Sequence, residues 1–394
     1  MKGALQYDGI TWDHPRGFEP LDAAARNLES PGADLRIRWH KQTLEGFESH
    51  PIADLANLYD LLIIDHPCLG EAAARECFIP IDNLFSKEEC EVWRKTSVGP
   101  SYSSYCYAGK QWALPLDAAT QVCVVNPEII EKDLWPRTWD DVLDLSDHFS
   151  ISLSLAGPHA LLSFFSICAA IAGEENQPEQ DDIFEDDICM QAYEVLAAIF
   201  KKAVKNHINS NPIAMLDCMA SSREIALCPL IYGYVNYASQ VKSSKYARLA
   251  FINAPRFKGQ FKPRSTVGGT GLAVSRKTRV TPPLLDHIRH LMSPAYQVDF
   301  SPNHGGQPSS AKAWSDPSVN ARANGFYGNT LETMINGWVR PRYIGYVEFQ
   351  AEGSDFLRNA LLGEISPRIV TRKIKAMFDA SRTPYLASEE GSYV

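Results

Sequence analysis

Two copies of the tripeptide Asp-His-Pro concentrate the reactive side chains of this sequence: Asp13-His14-Pro15 and Asp65-His66-Pro67. A carboxylate accepts hydrogen bonds from vicinal hydroxyls, and an imidazole beside it can donate, accept or move a proton. Arg16, next to the first copy, can donate a bidentate pair to a carboxylate or phosphate. Three chemistries follow: a grip on a small polar ligand, an acid–base pair, or a metal site of two His and two Asp. The local alternative is structural, because Asp before Pro commonly starts turns or caps helices. Two dipeptides make a poor metal signature, and no metal or other cofactor is expected. His287 and His290 stand three apart on an expected surface helix, where a plain helix face explains them better than a ligand set. No GxSxG, Walker A or GxGxxG sequence occurs, so nucleophilic hydrolysis, ATP hydrolysis and dinucleotide binding lack their motifs.

The elements that must position these residues alternate between strand and helix. A strand is expected over 4–12, a helix over 20–28 and a half-buried strand of period two over 33–39 (ADLRIRW). LYDLLIID, residues 58–65, contains a continuous apolar run, the mark of a strand buried on both faces. A short helix over 71–76 and an extended piece over 78–82 follow. Strand–helix alternation predicts a mostly parallel sheet covered by helices. WALPLDAATQVCVV, residues 112–125, is a further extended segment, and PEIIEKDL after it has helical composition. Thr138 with Asp141 three residues on has capping-box spacing for the next helix. ALLSFFSICAAIA, residues 160–172, is too short to span a membrane and reads as a buried helix. Residues 174–187 form an acidic, solvated loop, and 190–204 an amphipathic helix. Strands are expected over 247–254 and at Leu272–Ser275, after the glycines Gly268, Gly269 and Gly271. Helices over 283–292, 356–362 and 367–380 complete the chain.

With 394 residues the chain is long enough for two or three domains. Its net charge of −9 argues against nucleic acid as a partner. No apolar stretch reaches membrane-spanning length. Nine cysteines without a CxxC pair read as buried thiols and suit a reducing compartment. Met1-Lys2 leads into GALQYD without an apolar secretory core.

An ordered series of segments now carries a resemblance. ITWDHPRGFEPL, YDLLIIDHP, YAGKQWALPLDAATQVCVVNPEII and WPRTWDDVLDL come first. REIALCPLIYGY, INAPRFKGQFKPRSTVGGTGLAVSRKT, GGQPSSAKAWSD and LLGEISPRIVTRKIKAMFD follow. In order and spacing the chain resembles the family 1 extracellular solute-binding proteins of ABC importers, the maltose-binding carbohydrate type. The resemblance implies an α/β, two-lobed periplasmic-binding-protein fold of type II. Each lobe would be a mixed, mostly parallel sheet flanked by helices, with a ligand cleft between the lobes and hinge closure around the ligand. Lobe 1 would take 1–116 and 265–311, and lobe 2 would take 117–264 and 312–394.

The candidate ligand-binding residues are Trp12, Asp13, His14, Arg16, Asp65 and His66, from loops that follow expected first-lobe strands, with Asp13 and Asp65 supported by the resemblance. Asp117, His159 (after Gly157-Pro158), Tyr232, Tyr234, Gly269, Thr270 and Trp338 join them. Tyr232, Tyr234 and Trp338 fall where family members place second-lobe aromatics, and flat rings suit the C–H faces of sugars. Gly268 and Gly269 would let a backbone approach a ligand, or simply turn into the next strand. Arg16, Arg264, Arg340 and Arg342 hint at an anionic ligand such as a sugar acid. The implied function is binding of a sugar, polyol or sugar acid by a monomer, without catalysis, for an ABC permease. Two other functions compete: a cytoplasmic metabolite-binding or sensing protein without a permease, and an enzyme using an Asp/His pair. Location stays open, periplasmic by family and cytoplasmic by thiol content.

Overall fold

The computed structural model describes residues 5–28, 34–239 and 247–390, with the side chains of 383–390 left aside. The expected strand starts at Ala4 and Ala33 lie outside the described residues. Nine strands occur among those described: β1 (Leu5–Trp12), β2 (Leu35–Gln42), β3 (Leu61–Ile64), β4 (Cys106–Tyr107), β5 (Lys110–Gln111), β6 (Leu114–Val125), β7 (Leu227–Tyr232), β8 (Ala250–Ile252) and β9 (Val267–Val274). The chain forms two compact units. The first comprises Met1–Ala119, Tyr234–Asn236 and Gly268–Ala321. The second comprises Thr120–Gly233, Tyr237–Val267 and Arg322–Val394.

The sheet of the first unit runs β2-β1-β3-β9. β1 pairs in parallel with β2 (Leu5↔Leu35 to Trp12↔Gln42) and with β3 (Gly9↔Leu61), and β9 closes antiparallel on β3 (Leu61↔Val274). The composition of each strand explains its place. Leu61, Leu62, Ile63 and Ile64 are all buried, with Leu61 and Ile63 in one hydrophobic cluster and Leu62 and Ile64 in another. Such a strand is stable only inside a sheet covered on both faces. β2 alternates buried Leu35, Ile37 and Trp39 with exposed Arg36 and Arg38, and it takes the edge. The helix that follows β1 begins at Pro15 and runs to Arg26, five residues earlier than expected. Gly17, in its first turn, lies so close to Trp12 that an added Cβ would stand 2.5 Å from the indole ring.

The second unit has a mixed sheet around β6, with β7 and β8 antiparallel to it and parallel bridges at Ile151↔Leu227 and Thr138↔Arg256. Its core is the His159–Ala172 helix, buried throughout except at Ile171. The two serines inside this apolar helix are bonded. Gln121 donates to Ser163 Oγ (3.2 Å) and accepts from Ser166 (2.7 Å), and the Thr266 amide donates to Ser166 Oγ (2.9 Å). The Asp186–Lys202, Tyr346–Leu362 and Pro367–Glu390 helices pack around it. Thr138 and Asp141 form both bonds of the capping box, and the Trp139–Leu145 helix follows.

Several expectations change. PEIIEKDL is not a helix but turns and a 3-10 piece, Lys132–Leu134. Asn126 is the reason: its side chain accepts from the Glu128 amide and donates to Met219 O, which fixes a turn. The acidic loop keeps Ile183 and Phe184 buried rather than wholly solvated. The helix expected to lie on the surface, Pro282–Leu291, buries His287, whose two ring nitrogens find no hydrogen-bond partner among the described residues. Gly268, Gly269 and Gly271 lie within β9, not before it. Six of the nine cysteines are buried, and Cys68, Cys106 and Cys218 are half-buried. No helix of the described residues is long and apolar enough to cross a membrane.

Two helical glycines should respond with opposite signs. Gly17→Ala forces the Cβ into a buried indole and should cost about 1–3 kcal/mol. Gly46→Ala, whose Cβ meets only ordinary contacts in the Leu44–Ser49 helix, should gain up to about 1 kcal/mol. Urea midpoints of the two variants decide it, and equal shifts would contradict the packing described.

Candidate functional site

The first Asp-His-Pro is a strand-to-helix turn. β1 ends at Trp12, and extended His14 is the helix N-cap, its Nδ1 accepting from the Arg16 amide at 3.1 Å. Pro15 fills the first helical position, where its missing N–H costs nothing. The turn divides its side chains. Asp13 stays in solvent, paired with Lys41 at 2.9 Å, while His14 and Arg16 are buried. In the second copy Asp65 caps the short His66–Cys68 turn by accepting from the His66 amide at 2.9 Å. His66 is fully buried, edge-on to Tyr105 at 6.2 Å. Both copies therefore serve as caps. Among the described residues neither belongs to a group of three metal-type side chains within coordinating reach.

Arg16 organises the first unit. Its Nε donates to Asp117 Oδ2 at 2.7 Å and its Nη2 to Asp117 Oδ1, with both side chains under a tenth exposed. The guanidinium lies 4.6 Å from the Tyr234 ring and 5.9 Å from the Trp12 ring. His14 meets Tyr234 edge-on at 4.8 Å. Burial, seconded by the Arg16 charge, holds the His14 imidazole down at about 3, so it is neutral. Burial pushes the Asp117 carboxyl up, against the pull of Arg16. The small pocket beside the pair, lined by Trp12, Arg16, Asp117, Thr270, Tyr296 and Gln307 among others, measures about 20 Å³. That is room for about one water molecule. Gln307 ties the surroundings together, donating to Ala118 O at 2.8 Å and accepting from the Val235 amide at 3.0 Å. Gly269 has φ +94°, and a Cβ there would stand 2.5 Å from the Asp117 carbonyl oxygen. The close approach that this glycine permits is thus to the chain's own backbone.

Trp12, His14, Arg16, Asp117, Tyr234, Gly269 and Thr270 belong to one unit, and all but Gly269 are buried. Tyr234, expected in the second lobe, is part of the first unit; Tyr232 is part of the second. Tyr232 is half-buried with its hydroxyl 3.3 Å from Thr266 Oγ1, and His159 meets its ring edge-on at 5.9 Å. Trp338 packs in the second unit's core, against Phe184 (4.8 Å) and Phe165 (5.5 Å), not on an open wall. The arginines that hinted at an anionic ligand have internal partners. Arg340 donates to Gln350 at 2.9 Å, Arg342 faces Asp181 at 3.9 Å, and Arg264 donates to Asn336 O at 3.3 Å. Sequence reasoning missed a groove of about 950 Å³ in the second unit, whose walls include Trp135, Arg137, Asn253, Phe261 and Glu332. No motif marks it, because its walls come from three distant segments.

No family model matches the chain, and no curated protein matches it. Solved structures do. The maltose-bound MalE3 of T. maritima superposes with a TM-score of 0.79 at 15% identity, covering 95% of this chain and 99% of that one. An ABC transporter solute-binding protein from Agrobacterium radiobacter, in complex with ribitol, gives 0.75 at 16% identity over 96% and 98% of the two chains. The Thermus thermophilus maltotriose-binding protein, with maltotriose, gives 0.71 at 16% identity over 96% and 99%. The chain has the fold of these solute-binding proteins, the two-lobed α/β fold that the ordered segments implied.

The buried pair should couple strongly. Arg16→Met and Asp117→Leu should each cost about 3–5 kcal/mol by leaving one charge buried alone, and the double variant should cost less than either. Additive losses in urea unfolding would show that the pair is not desolvated as described. Acid should also weaken the fold. His14 and His287 are held at about 3 and about 4, both by burial first, against 6.5 unfolded. Their depressed values make stability complete above pH 6.5 and lost as pH falls towards 4. Each should contribute a loss of about 2 kcal/mol between pH 7 and pH 5, and His287→Leu should remove its share of that slope.

Proposed function

We propose that this chain is a solute-binding protein that holds a neutral sugar or polyol without transforming it and delivers it to an ABC-type permease. One observation carries the proposal: near-complete, end-to-end likeness to structures that contain maltose, ribitol and maltotriose. The chemistry of the first unit narrows it. Asp117 occupies the Arg16 fork, which makes a neutral hydroxylated solute a better fit than a sugar acid. Asp65, half-buried at the carboxyl end of β3, is the acceptor we assign to ligand hydroxyls. Ligands of open α/β sheets gather at that end of the strands.

Two observations count against the first Asp-His pair as an acid–base pair, while in the second His66 Nδ1 stands 3.2 Å from Asp65 Oδ1. His14 is held neutral with one ring nitrogen used as a cap, and Asp13 points to Lys41 in solvent. A binding protein without a permease is the second reading, favoured by nine cysteines that form no disulfide.

The test is the thermal unfolding midpoint against disaccharides, maltotriose, ribitol and other polyols, sugar acids and sugar phosphates, with Asp65→Ala alongside. A ligand at ~1,000 times its Kd should add about 4 kcal/mol, a rise of several degrees. The expected result is a rise with one neutral class, lost in Asp65→Ala, and recovery of the ligand unchanged. A flat panel, or turnover of the ligand, overturns the proposal.

A further inference from the structure

The second unit brings together a histidine, a cysteine and a glutamate, none of which was assigned to solute binding above. His207 closes the 3-10 turn Lys205–His207. Cys218 lies in the last turns of the Pro212–Ser221 helix, and Glu224 lies in the connection from that helix to β7. His207 Nε2 is 2.9 Å from Glu224 Oε2 and 3.8 Å from Cys218 Sγ. One ligand atom of each residue lies within 4.8 Å of the other two.

From these distances we propose that His207, Cys218 and Glu224 form a binding site for a zinc-class divalent cation. The geometry needs little change. Zn–S of about 2.3 Å and Zn–N of about 2.0–2.1 Å at tetrahedral angles put sulfur and nitrogen about 3.6 Å apart, and nitrogen and carboxylate oxygen about 3.3 Å apart. The nitrogen–sulfur separation is close to that already, and the nitrogen–oxygen pair must open by a few tenths of an ångström. The charge also fits, since a thiolate and a carboxylate with a neutral imidazole balance a 2+ ion. Cys218 loses its thiol proton to solvent on coordination. Sulfur and imidazole select zinc-class ions over magnesium or calcium.

The local fold holds the three residues in place. Ser222 caps the helix, its amide donating to Cys218 O at 2.9 Å and its hydroxyl accepting from the Glu224 amide at 3.2 Å. Buried Ile208 anchors the His207 turn through its carbonyl, which accepts from the Leu155 amide at 2.9 Å. The Glu224 side chain is 65% exposed, which leaves an open side for entry of the ion and for a water as fourth ligand. A bound ion would clamp the 205–207 turn, the helix end and the lead into β7.

The experiment uses the full chain after chelator treatment. Titration with Zn²⁺ should show one site, and Co²⁺ should give thiolate-to-metal absorption in the near ultraviolet. Zn²⁺ should slow alkylation at Cys218 at least ten-fold, read by peptide mass spectrometry, while Cys68 and Cys106 alkylate at unchanged rates. Cys218→Ser, His207→Ala and Glu224→Gln should each weaken binding at least ten-fold and leave the metal-free unfolding midpoint within a few degrees. Alkylation of Cys218 at the same rate with and without zinc overturns the proposal, whether or not the variants fold. Undiminished zinc binding by Cys218→Ser overturns it too. Neither readout involves the solute, so the outcome stands apart from the function proposed above.

Discussion

The first unit is arranged around one constraint: a guanidinium has been taken out of water and must be matched. Arg16 reaches that position because the chain turns from β1 into a helix within three residues, with His14 as the cap and Pro15 as the first helical residue. Asp117 meets it from β6 with a bidentate pair, and Tyr234 and Trp12 supply ring faces. Such a pair gains little by itself, because desolvation offsets most of the attraction. What it does is fix relative positions: a slip of β6 by one residue would leave both charges unmatched. The supporting details follow from this. The adjacent imidazole is neutral, Gln307 satisfies the neighbouring backbone, and Gly269 carries no Cβ because β9 lies against the Asp117 carbonyl.

The second unit answers the same requirement, that buried polar groups be satisfied, with neutral side chains along its central helix. Its central helix is apolar nearly all round, and its two serines bond to Gln121 and Thr266. Neutral hydrogen bonds give register there at a smaller desolvation cost than charge. Trp338 belongs to this apolar packing, between Phe165 and Phe184.

The parts of the fold legible from sequence are those with strong local patterns. The apolar run of β3, the alternation of β2, the Thr138 capping box and the buried helix over 160–172 each have one physical explanation, and the structure contains all four. The parts misread depend on distant partners. The Pro15 helix start was hidden because histidine is an uncommon cap, and its Asp-His-Pro looked like a loop. Gly269 reads as a turn until the Asp117 backbone, some 150 residues away, is placed beside it. At the candidate site the residue types were visible, but not which side chains the turns send inward. Asp13 and Arg16 stand three apart, yet one lies in solvent and the other is buried.

The pairing of β3 with β9 sets the order in which this protein can be made. Leu61 to Ile64 emerge from the ribosome early, and their neighbour over 271–274 emerges some two hundred residues later. Tyr234–Asn236 and residues up to Ala321 must also be synthesised before the first unit is whole. At a synthesis rate of about 5–20 residues per second, one of the most apolar strands waits tens of seconds for its partner. During that wait it presents an unpaired edge of the kind that invites aggregation. A fragment ending before β9 lacks the strand that pairs with β3 and leaves that edge of the apolar strand uncovered.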